Sequence, residues 1–494
     1  MGGGNASANA ILTKDIIVNT GVLDAVKNHL ESESDFIPWT PIGSPEIGSG
    51  LYTGTFDGQG HTISGLYFNN PAASGVGLFG VIGDDYNGHK GKISDVGVFD
   101  SYFEFGQLGG GVCGLNMGGV LQNCSNSSTV IGKSRIGGVC GDNSIGGTVR
   151  DCKNTGSVHG TDDYVGGVCG NNHDGGTIKS CYNTGSVYGT CNYVGGVCGL
   201  SQNETNYCYY LSGTATRGIG NRDDEKDKAE ERSEEKFESG EMAWLLNGKG
   251  LGEQVWGQQL GIDQSPVPGS DYKVIKAAKG DKDENGNENT YWATFSNQTN
   301  DATLSVPSDR SLKVYNATVS GGKLTLTERD KQVAKEEGVL LKTDGEYVNA
   351  KANEANVLEK ASPDENHLVA TPAEAKTVTE TDYILYRLTY KNQYKDNLGF
   401  YLGSSDGKSL KAIPGKAYLK VSEDAAKAPS SAALTRSFVF GGGSETTGID
   451  GITIMGTDVQ RHGTIEGIFD LQGRKISNPT KGIYIKNNKK VVIK

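Results

Sequence analysis

The chain has 494 residues, a length that predicts about three domains. Glycine is abundant at 73 residues and proline is scarce at 12, without a three-residue period, which excludes collagen and favours a turn-rich β protein. The net charge is −12, and the sequence has neither a basic cluster for nucleic acid nor a long apolar run that would span a membrane.

The first half of the chain contains an internal repeat. The pentapeptide GGVCG recurs at intervals of 27 to 29 residues, and a second unit containing cysteine follows each of its first three copies. Short β-branched runs broken by Gly and Asn at this period predict a solenoid, here a parallel β-helix over residues 1–215. The repeated cysteines form two columns: Cys113, Cys140, Cys169 and Cys198 in the pentapeptide, and Cys124, Cys152 and Cys181 in the second unit.

The cysteine columns are predicted to be structural. An earlier copy of the repeat carries Phe79 and Val96 at the aligned positions, and these residues can neither ligate a metal nor form a disulfide. We therefore interpret the columns as buried apolar ladders, and we expect the three asparagines of the second unit to stack their amides at a turn. Cys191 lies outside both columns and is the candidate for a free or reactive thiol. The asparagines are Asn126, Asn154 and Asn183.

Aromatic residues recur near each GGVCG and form the candidate binding surface. One predicted column reads Gln107, Arg135, Tyr164 and Tyr193, and the other reads Ile131, His159 and Tyr188. Rings stacked one coil apart would form a flat strip with polar edges that suits sugar faces or a partner protein. The hypothesis is binding of a glycan or of a host or matrix protein; the alternative is that the tyrosines merely cover turns. The proposed ligand-binding residues are Tyr164, Tyr188, Tyr193, His159 and Arg135.

The repeat units resemble a known motif. GGVCG paired with Cys152-Lys153-Asn154-Thr155-Gly156, and again with Cys181-Tyr182-Asn183-Thr184-Gly185, closely resembles the GLUG repeat over roughly residues 10–215. GLUG repeats occur in large bacterial surface proteins and look like parallel β-helices. The resemblance implies an extracellular or cell-surface location and a β-helix, and much less about activity.

The remaining segments predict a connector, a sandwich and a tail. Residues 216–272 contain a charged stretch and then a short apolar helix that ends at Asn247-Gly248 and would cap the open end of the solenoid. Alternating strands over residues 273–445 predict a β-sandwich. Residues 446–494 resemble the small β-sandwich tails that accompany secretion in Bacteroidetes-type bacteria, on the segments 468–476, 482–485 and 489–494.

Candidate chemistry in the sequence is weak, and we expect no cofactor. Asp281, Asp283 and Asn285 fit the start of a calcium loop, but Trp292 occupies the twelfth position, where calcium loops carry Glu, so a polar loop is favoured over a metal site. The run 403–407 matches a nucleophile elbow but lies between two predicted strands, not before a helix.

The sequence therefore favours a non-enzymatic, adhesin-like protein. Many parallel β-helices cleave acidic polysaccharides, which makes a lyase or hydrolase the enzymatic alternative. Such enzymes need a column of carboxylates, whereas the positions beside Asp162-Asp163 on the neighbouring coils read Lys133-Ser134 and Cys191-Asn192. A purely structural stalk or scaffold is the remaining alternative.

Overall fold

The computed structural model of the protein is almost entirely β-structure. It confirms the predicted all-β class, with a parallel β-helix followed by layered antiparallel sheets and a small C-terminal sheet. The domain boundaries drawn from the sequence remain predictions. The structure describes residues 7–24, 30, 36–43, 50–84, 88–190, 192–221, 228–251, 253–280, 289–391, 397–427 and 434–440, and the backbone of short strands between 453 and 493.

Three parallel sheets surround one core to form the solenoid. The first sheet contains Ala10–Ile11, Thr55–Asp57, Lys92–Ser94, Val120–Gln122, Thr148–Arg150, Thr177–Lys179 and Thr205–Asn206. The second contains Ile16–Ile17, Thr62–Ser64, Tyr67–Val76, Gly97–Gly110, Ser125–Gly132, Ser134–Gly137, Lys153–Asn154, Val158–Gly160, Val165–Gly166, Tyr182–Asn183, Val187–Gly189, Val194–Gly195, Cys208–Leu211 and Ala229–Arg232. The third contains Phe79–Ile82, Cys113–Met117, Cys140–Ser144, Cys169–Asn172 and Cys198–Ser201.

Each inward position repeats from coil to coil, so the core consists of side-chain ladders. In the first sheet Phe56 pairs with Ile93, Ile93 with Leu121, Leu121 with Val149, and Val149 with Ile178, and all five are buried. Burying one such side chain stabilises the fold by about 1.5–3 kcal/mol. One coil cannot bury its own inward face, so the stack depends on its neighbours.

The register agrees with the alignment of the cysteine-free copy. Phe79 pairs with Cys113 in the third sheet. In the second sheet Gly97, which follows Val96, pairs with Ser125, which follows Cys124. Phe79 and Val96 therefore occupy the same inward positions as the cysteines of later coils, and both are buried in the same core.

The three glycines of GGVCG have separate steric causes. A Cβ on Gly138 would overlap the side-chain amide of Asn154, and a Cβ on Gly137 would lie 2.7 Å from the carbonyl oxygen of Val168. A Cβ on Gly141 would lie 2.8 Å from the carbonyl oxygen of Arg135, at the preceding corner of the chain. Real Cβ atoms essentially never approach backbone this closely, so glycine is required where the backbones meet.

Stacked asparagines connect the coils inside the second sheet. Asn126 Nδ2 donates to Asn154 Oδ1 at 2.8 Å, and Asn154 Nδ2 donates to Asn183 Oδ1 at 2.8 Å. All three side chains are fully buried, where each amide needs a partner. The stack is the amide ladder expected from the sequence.

A second amide ladder runs along the third sheet. Asn116 Nδ2 donates to Asn143 Oδ1, and Asn143 Nδ2 donates to Asn172 Oδ1, each at 2.8 Å. Asn172 Nδ2 then donates to Ser201 Oγ at 3.2 Å. The pattern that could have predicted this ladder is Cys-Gly-x-Asn, which recurs in three successive copies.

A corner between the first and second sheets requires a left-handed backbone. Asp95, Asn123, Asp151, Ser180 and Tyr207 occupy it on successive coils, with φ between 52° and 58°. Asp and Asn tolerate this conformation better than most residues. Asn123 Nδ2 also donates to Asp95 Oδ1 at 2.8 Å, so this corner is partly joined by side chains.

Burial of Asp151 predicts a pH dependence of stability. Burial raises the pKa of Asp151 from 3.8 to about 6, although Arg150 Nη1 lies 2.7 Å from its carboxylate. A raised folded-state pKa gives stability that is fully present below about pH 4 and is lost as the pH rises through about 6. Asp151→Asn, which copies Asn123 of the preceding coil, should remove this dependence.

Urea unfolding of the intact chain and of Asp151→Asn, at pH 4 and at pH 7, measures the effect. The free energy of unfolding of the variant relative to the intact chain should rise by about 2 kcal/mol from pH 4 to pH 7. Other carboxylates cancel in this difference. A difference that does not change with pH would contradict the assignment.

Two short helices follow the solenoid. The helix α1 spans Glu234–Glu238 and α2 spans Glu241–Leu246, with the break at Gly240, whose φ is 92°. Phe237 of α1 and Met242 of α2 are buried against Tyr182 and Tyr209, which point outward from the second sheet. Asn247 ends α2, as the sequence predicted.

The predicted cap on the open end of the solenoid is wrong. The helices pack on the lateral face at Tyr182 and Tyr209, and they contribute nothing to the solenoid core. That core ends instead with Ile219 and Ala229, both fully buried, which pair with Cys198 and Cys208. The apolar faces of the helices pack on the outward tyrosines of the second sheet.

The predicted β-sandwich region has three layers. Its central sheet packs one face on a four-stranded sheet and the other on a five-stranded sheet, because neighbouring residues of its strands point into two different cores. The central sheet contains Ala278–Lys279, Tyr291–Ser296, Gly338–Thr343, Leu312–Ser320, Lys323–Arg329 and Thr453–Met455. The outer sheets contain Tyr272–Lys276, Tyr347–Ala352, Ala302–Ser305 and Gln332–Val333, and Leu368–Ala370, Ala417–Ser422, Tyr383–Thr389, Gly399–Leu402 and Ser437–Val439.

Smaller elements complete the described chain. Two strand pairs lie at the edges, a helix α3 spans Glu423–Ala426, and the C-terminal sheet has four antiparallel strands. No helix of the described residues is long and apolar enough to cross a membrane. The strand pairs are Trp256–Gly257 with Val267–Pro268 and Lys376–Thr379 with Ser409–Ala412, and the C-terminal strands are Lys475–Ile476, Ile468–Phe469, Gly482–Lys486 and Lys489–Ile493.

Candidate aromatic binding surface

The first predicted aromatic column lies on the outside of the second sheet. Ile131 pairs with His159, and His159 with Tyr188, one residue beyond the buried valines. The His159 and Tyr188 ring centroids are 6.1 Å apart. His159 is half-buried, whereas Tyr188 is 59 % exposed, so the column opens towards solvent at its last coil.

The second column lies at the corner that leads into GGVCG. The Tyr164 and Tyr193 ring centroids are 5.3 Å apart, and Tyr193 is 36 % exposed. The predicted membership of Gln107 is wrong by one residue, because Gln107 pairs with Ser134. Leu108 is therefore the residue of that coil that occupies the Arg135 position.

Three coils have a left-handed backbone at this corner. Leu108, Arg135 and Tyr164 have φ of 56°, 57° and 66°, and Gly75 takes the same place on the coil before Leu108. A bulky residue at positive φ is uncommon and costs about 1–2 kcal/mol relative to a relaxed backbone. Long and aromatic side chains occur at this corner in spite of that cost, which suggests that they have a role beyond folding.

A glycine of the next coil supports the corner from beneath. A Cβ on Gly199, the last residue of a pentapeptide, would lie 2.6 Å from the carbonyl carbon of Tyr164. Gly220 takes the equivalent place after the last pentapeptide, and its Cβ would lie 2.6 Å from the carbonyl carbon of Tyr193. The absence of side chains there lets the corner backbone rest directly on the next coil. Tyr164 and Tyr193 are therefore presented by a rigid, closely packed backbone.

Arg135 is held by a cluster that sequence reasoning missed. The Arg135 Nε lies 3.6 Å from Asp142 Oδ2, and His173 Nε2 lies 2.9 Å from Asp142 Oδ1. Asn171 Nδ2 also donates to Asp142 Oδ2 at 3.1 Å. Asp142 is 1 % exposed, so this carboxylate is covered by its own partners, and Arg135 is bound to it rather than projecting freely.

The eight cysteines of the two columns are all buried as free thiols. In the third sheet Cys140 pairs with both Cys113 and Cys169, and Cys169 pairs with Cys198. Burial raises the pKa of Cys169. The second column consists of Cys124, Cys152, Cys181 and Cys208.

Two sequence candidates lie outside the described residues: Cys191, and the calcium-loop residues Asp281, Asp283 and Asn285. Across the described ranges, no group of three or more His, Cys, Asp or Glu side chains could hold a metal ion. The nucleophile-elbow run joins strands Gly399–Leu402 and Ser409–Ala412, and Ser404 Oγ donates to Asp406 Oδ1 at 2.6 Å.

Comparison with known proteins gives one motif and one relative. Residues 163–188 match the GLUG motif. The chain carries the GLUG motif. The matched segment contains Tyr164 and Tyr188, whereas His159 precedes it and Tyr193 follows it. The wider GLUG resemblance over residues 10–215 remains a prediction.

The relative is Halomucin of Haloquadratum walsbyi (strain DSM 16790 / HBSQ001), which is 32 % identical over 122 residues. The alignment covers 25 % of this chain and 1 % of Halomucin. No solved structure matches significantly. The GLUG motif and this relative point to a surface or secreted repeat protein.

Proposed function

We propose that this chain is a non-enzymatic, adhesin-like protein of the cell surface or the extracellular space. Its solenoid would bind a glycan or a host or matrix protein through the aromatic surface, which consists of His159, Tyr164, Tyr188 and Tyr193. The observation that carries the proposal is that a half-buried ring, His159 or Tyr164, lies beside an exposed ring, Tyr188 or Tyr193, on the next coil of a rigid scaffold.

Several physical features support binding at this surface. Tyrosine offers a large apolar ring with a polar hydroxyl, and it loses little conformational entropy on binding because it has few rotatable bonds. Strand Val187–Gly189, which contains Tyr188, and strand Val194–Gly195, which follows Tyr193, pair in register with strands of the preceding coil. A ligand would therefore meet a surface that is already ordered, which favours affinity.

The state of one buried carboxylate argues against catalysis. Asp142 lies beside Arg135 and His173, and an acidic-polysaccharide lyase would need a carboxylate with such basic neighbours. Both of its oxygens are already engaged and its side chain is covered, so it is poorly placed to take a proton from substrate. We therefore propose neither a cofactor nor a catalytic residue.

Export is part of the proposal. The GLUG motif and the Halomucin match support a surface or secreted protein. The tail resemblance at residues 468–494 would add a secretion role, and the four-stranded C-terminal sheet is compatible with a small β domain. Cell fractionation with an antibody against the solenoid tests the location; a protein confined to the cytoplasm would contradict it.

Binding is tested on arrays of glycans and matrix proteins. The intact chain should bind a defined ligand, and a Tyr164→Ala, Tyr188→Ala, Tyr193→Ala variant should lose at least tenfold in affinity, because aromatic anchors dominate such interfaces. Tyr207→Ala is the matched control, since Tyr207 is as exposed as Tyr193 but lies at the other corner. All variants should keep the circular-dichroism spectrum of the intact chain.

Each alternative has its own result. If the intact chain binds nothing, a structural stalk becomes the better account. If the intact chain releases unsaturated or reducing ends from acidic polysaccharides, and Asp142→Asn abolishes the release, the protein is an enzyme and the proposal fails.

A further inference from the structure

The outer face of the second sheet is already occupied at its N-terminal coils by a segment of the same chain. Tyr67 and Tyr102 point outward there, with ring centroids 6.2 Å apart and nearly parallel. Val22 and Leu23 are buried against them, and Leu30 and Phe36 pack on the same cluster. The Phe36 ring centroid lies 5.4 Å from that of Tyr67.

The covering segment is closed at its base by one side chain. Asn19 Nδ2 donates to the carbonyl of Ile37 at 3.0 Å, and Ile37 N donates to Asn19 Oδ1 at 2.8 Å. Asn19 Nδ2 also donates to the carbonyl of Gly65 on the solenoid, at 2.7 Å. Asn19 and Ile37 therefore meet at one point, and Val22, Leu23, Leu30 and Phe36 place apolar side chains on the outward tyrosines.

The outward tyrosines at the C-terminal coils are covered in the same way. The Tyr182 ring centroid lies 5.4 Å from that of Phe237 and 5.2 Å from that of Trp256. Its hydroxyl donates to the carbonyl of Pro266 at 2.7 Å. At both places an outward tyrosine contacts apolar side chains of a peptide segment, and here its hydroxyl also binds that segment's backbone.

The aromatic surface continues the first of these interfaces. Ile131 belongs to the cluster that contains Val22, Leu23, Leu30 and Phe36, and it pairs directly with His159, which pairs with Tyr188. The column thus runs from a covered end to an exposed end without interruption. The exposed end offers the same chemistry, but Tyr188 and Tyr193 face solvent.

We propose that the aromatic surface binds an extended, apolar segment of a partner protein, with leucine and phenylalanine side chains against Tyr188 and Tyr193. This inference rests on the proposed binding function and selects a protein, not a glycan, as the ligand. Such a segment would cover the exposed end of the column as Val22, Leu23, Leu30 and Phe36 cover the other end. Its backbone carbonyls would accept from the tyrosine hydroxyls, as Pro266 accepts from Tyr182.

The probe is a synthetic peptide with the sequence of residues 20–37, labelled with a fluorophore and titrated with the full chain. Fluorescence anisotropy should show saturable binding. A Tyr188→Ala, Tyr193→Ala variant should bind at least tenfold more weakly, because each lost aromatic anchor costs about 1 kcal/mol or more. The Tyr207→Ala control should bind like the intact chain.

A second peptide tests the chemistry of the ligand. Replacing Leu23, Leu30 and Phe36 of the peptide by serine should abolish binding to the intact chain. Binding that persists in the Tyr188→Ala, Tyr193→Ala variant would mean exchange at the Tyr67 and Tyr102 interface, and would contradict the proposal. Lack of saturable binding up to the solubility limit of the peptide would also contradict it.

Two further outcomes separate this inference from the proposed function. If an oligosaccharide binds in a Tyr188-dependent manner and the peptide does not, the binding function stands and the protein-ligand inference is wrong. The inference is equally wrong if analytical ultracentrifugation shows Tyr188-dependent self-association, because a second copy then covers the surface. If the arrays and the peptide both give no binding, both proposals fail.

Discussion

Gly170→Ala should destabilise the solenoid by about 3 kcal/mol or more, because the added methyl group would overlap the backbone of the preceding coil. Its Cβ would lie 2.5 Å from the carbonyl oxygen of Gly141 and 2.6 Å from the carbonyl carbon of Arg135. These are backbone atoms of the preceding coil, so no side chain can rotate away. The two coils would have to separate, and their hydrogen bonds would lengthen.

The matched control is Gly146→Ala in the same region of the solenoid. A Cβ on Gly146 would meet no atom within 4 Å, although its φ is 72°. Only the backbone conformation is penalised there, at about 1 kcal/mol. Urea unfolding of both variants measures the difference in their free energies of unfolding. Equal losses of stability would show that close contact between coils is not the reason for glycine at position 170.

Asn154→Val should cost about 3 kcal/mol, because Asn154 occupies the middle of an amide ladder. Its Nδ2 donates to Asn183 Oδ1 and to the carbonyl of Gly156 at 2.9 Å, and its Oδ1 accepts from Asn126 at 2.8 Å and from Gly156 N at 3.3 Å. Valine has nearly the same size but satisfies none of these groups. Asn126 Nδ2 would keep only a long contact of 3.5 Å with the carbonyl of Ser128, and Asn183 Oδ1 would keep only the bond from Gly185 N at 3.2 Å.

Asn126→Val is the control, because Asn126 is the first member of the ladder. Its replacement shortens the ladder by one coil but does not interrupt it. Val98 already occupies the aligned position of the preceding coil, and Asn126 Oδ1 has no hydrogen-bond partner among the described residues. Asn154 Oδ1 would keep its bond from Gly156 N. We expect a loss of about 1 kcal/mol or less in urea unfolding, and a loss as large as that of Asn154→Val would refute the ladder account.

The solenoid could be predicted because a short motif recurs in the sequence at a nearly constant interval. The GGVCG spacing gives the coil length, and the aligned Phe79 and Val96 indicate inward positions without any structure. The alignment of the residues just before GGVCG was less certain. The first copy has three glycines, at 109–111, so its preceding residues can be aligned with those of the later copies in two ways. That ambiguity produced the one-residue error at Gln107, which the strand pairing resolves in favour of Leu108.

Contacts between distant segments were beyond the reach of sequence patterns. Nothing in the local sequence indicates that Val22, Leu23, Leu30 and Phe36 pack on Tyr67 and Tyr102, and nothing in α2 distinguishes a side wall from an open end. The Asp142 cluster likewise depends on corner geometry, because Arg135 and Asp142 meet only after the chain turns. These placements depend on long-range packing, which local periodicity does not encode.

The most direct test of the central claim is hydrogen–deuterium exchange of the intact chain with and without the ligand identified on the arrays. Binding through the aromatic surface predicts slower exchange in strands Val158–Gly160, Val165–Gly166, Val187–Gly189 and Val194–Gly195, with the layered sheets of residues 272–440 unchanged. Protection confined to those layered sheets, with the four solenoid strands unaffected, would contradict the account.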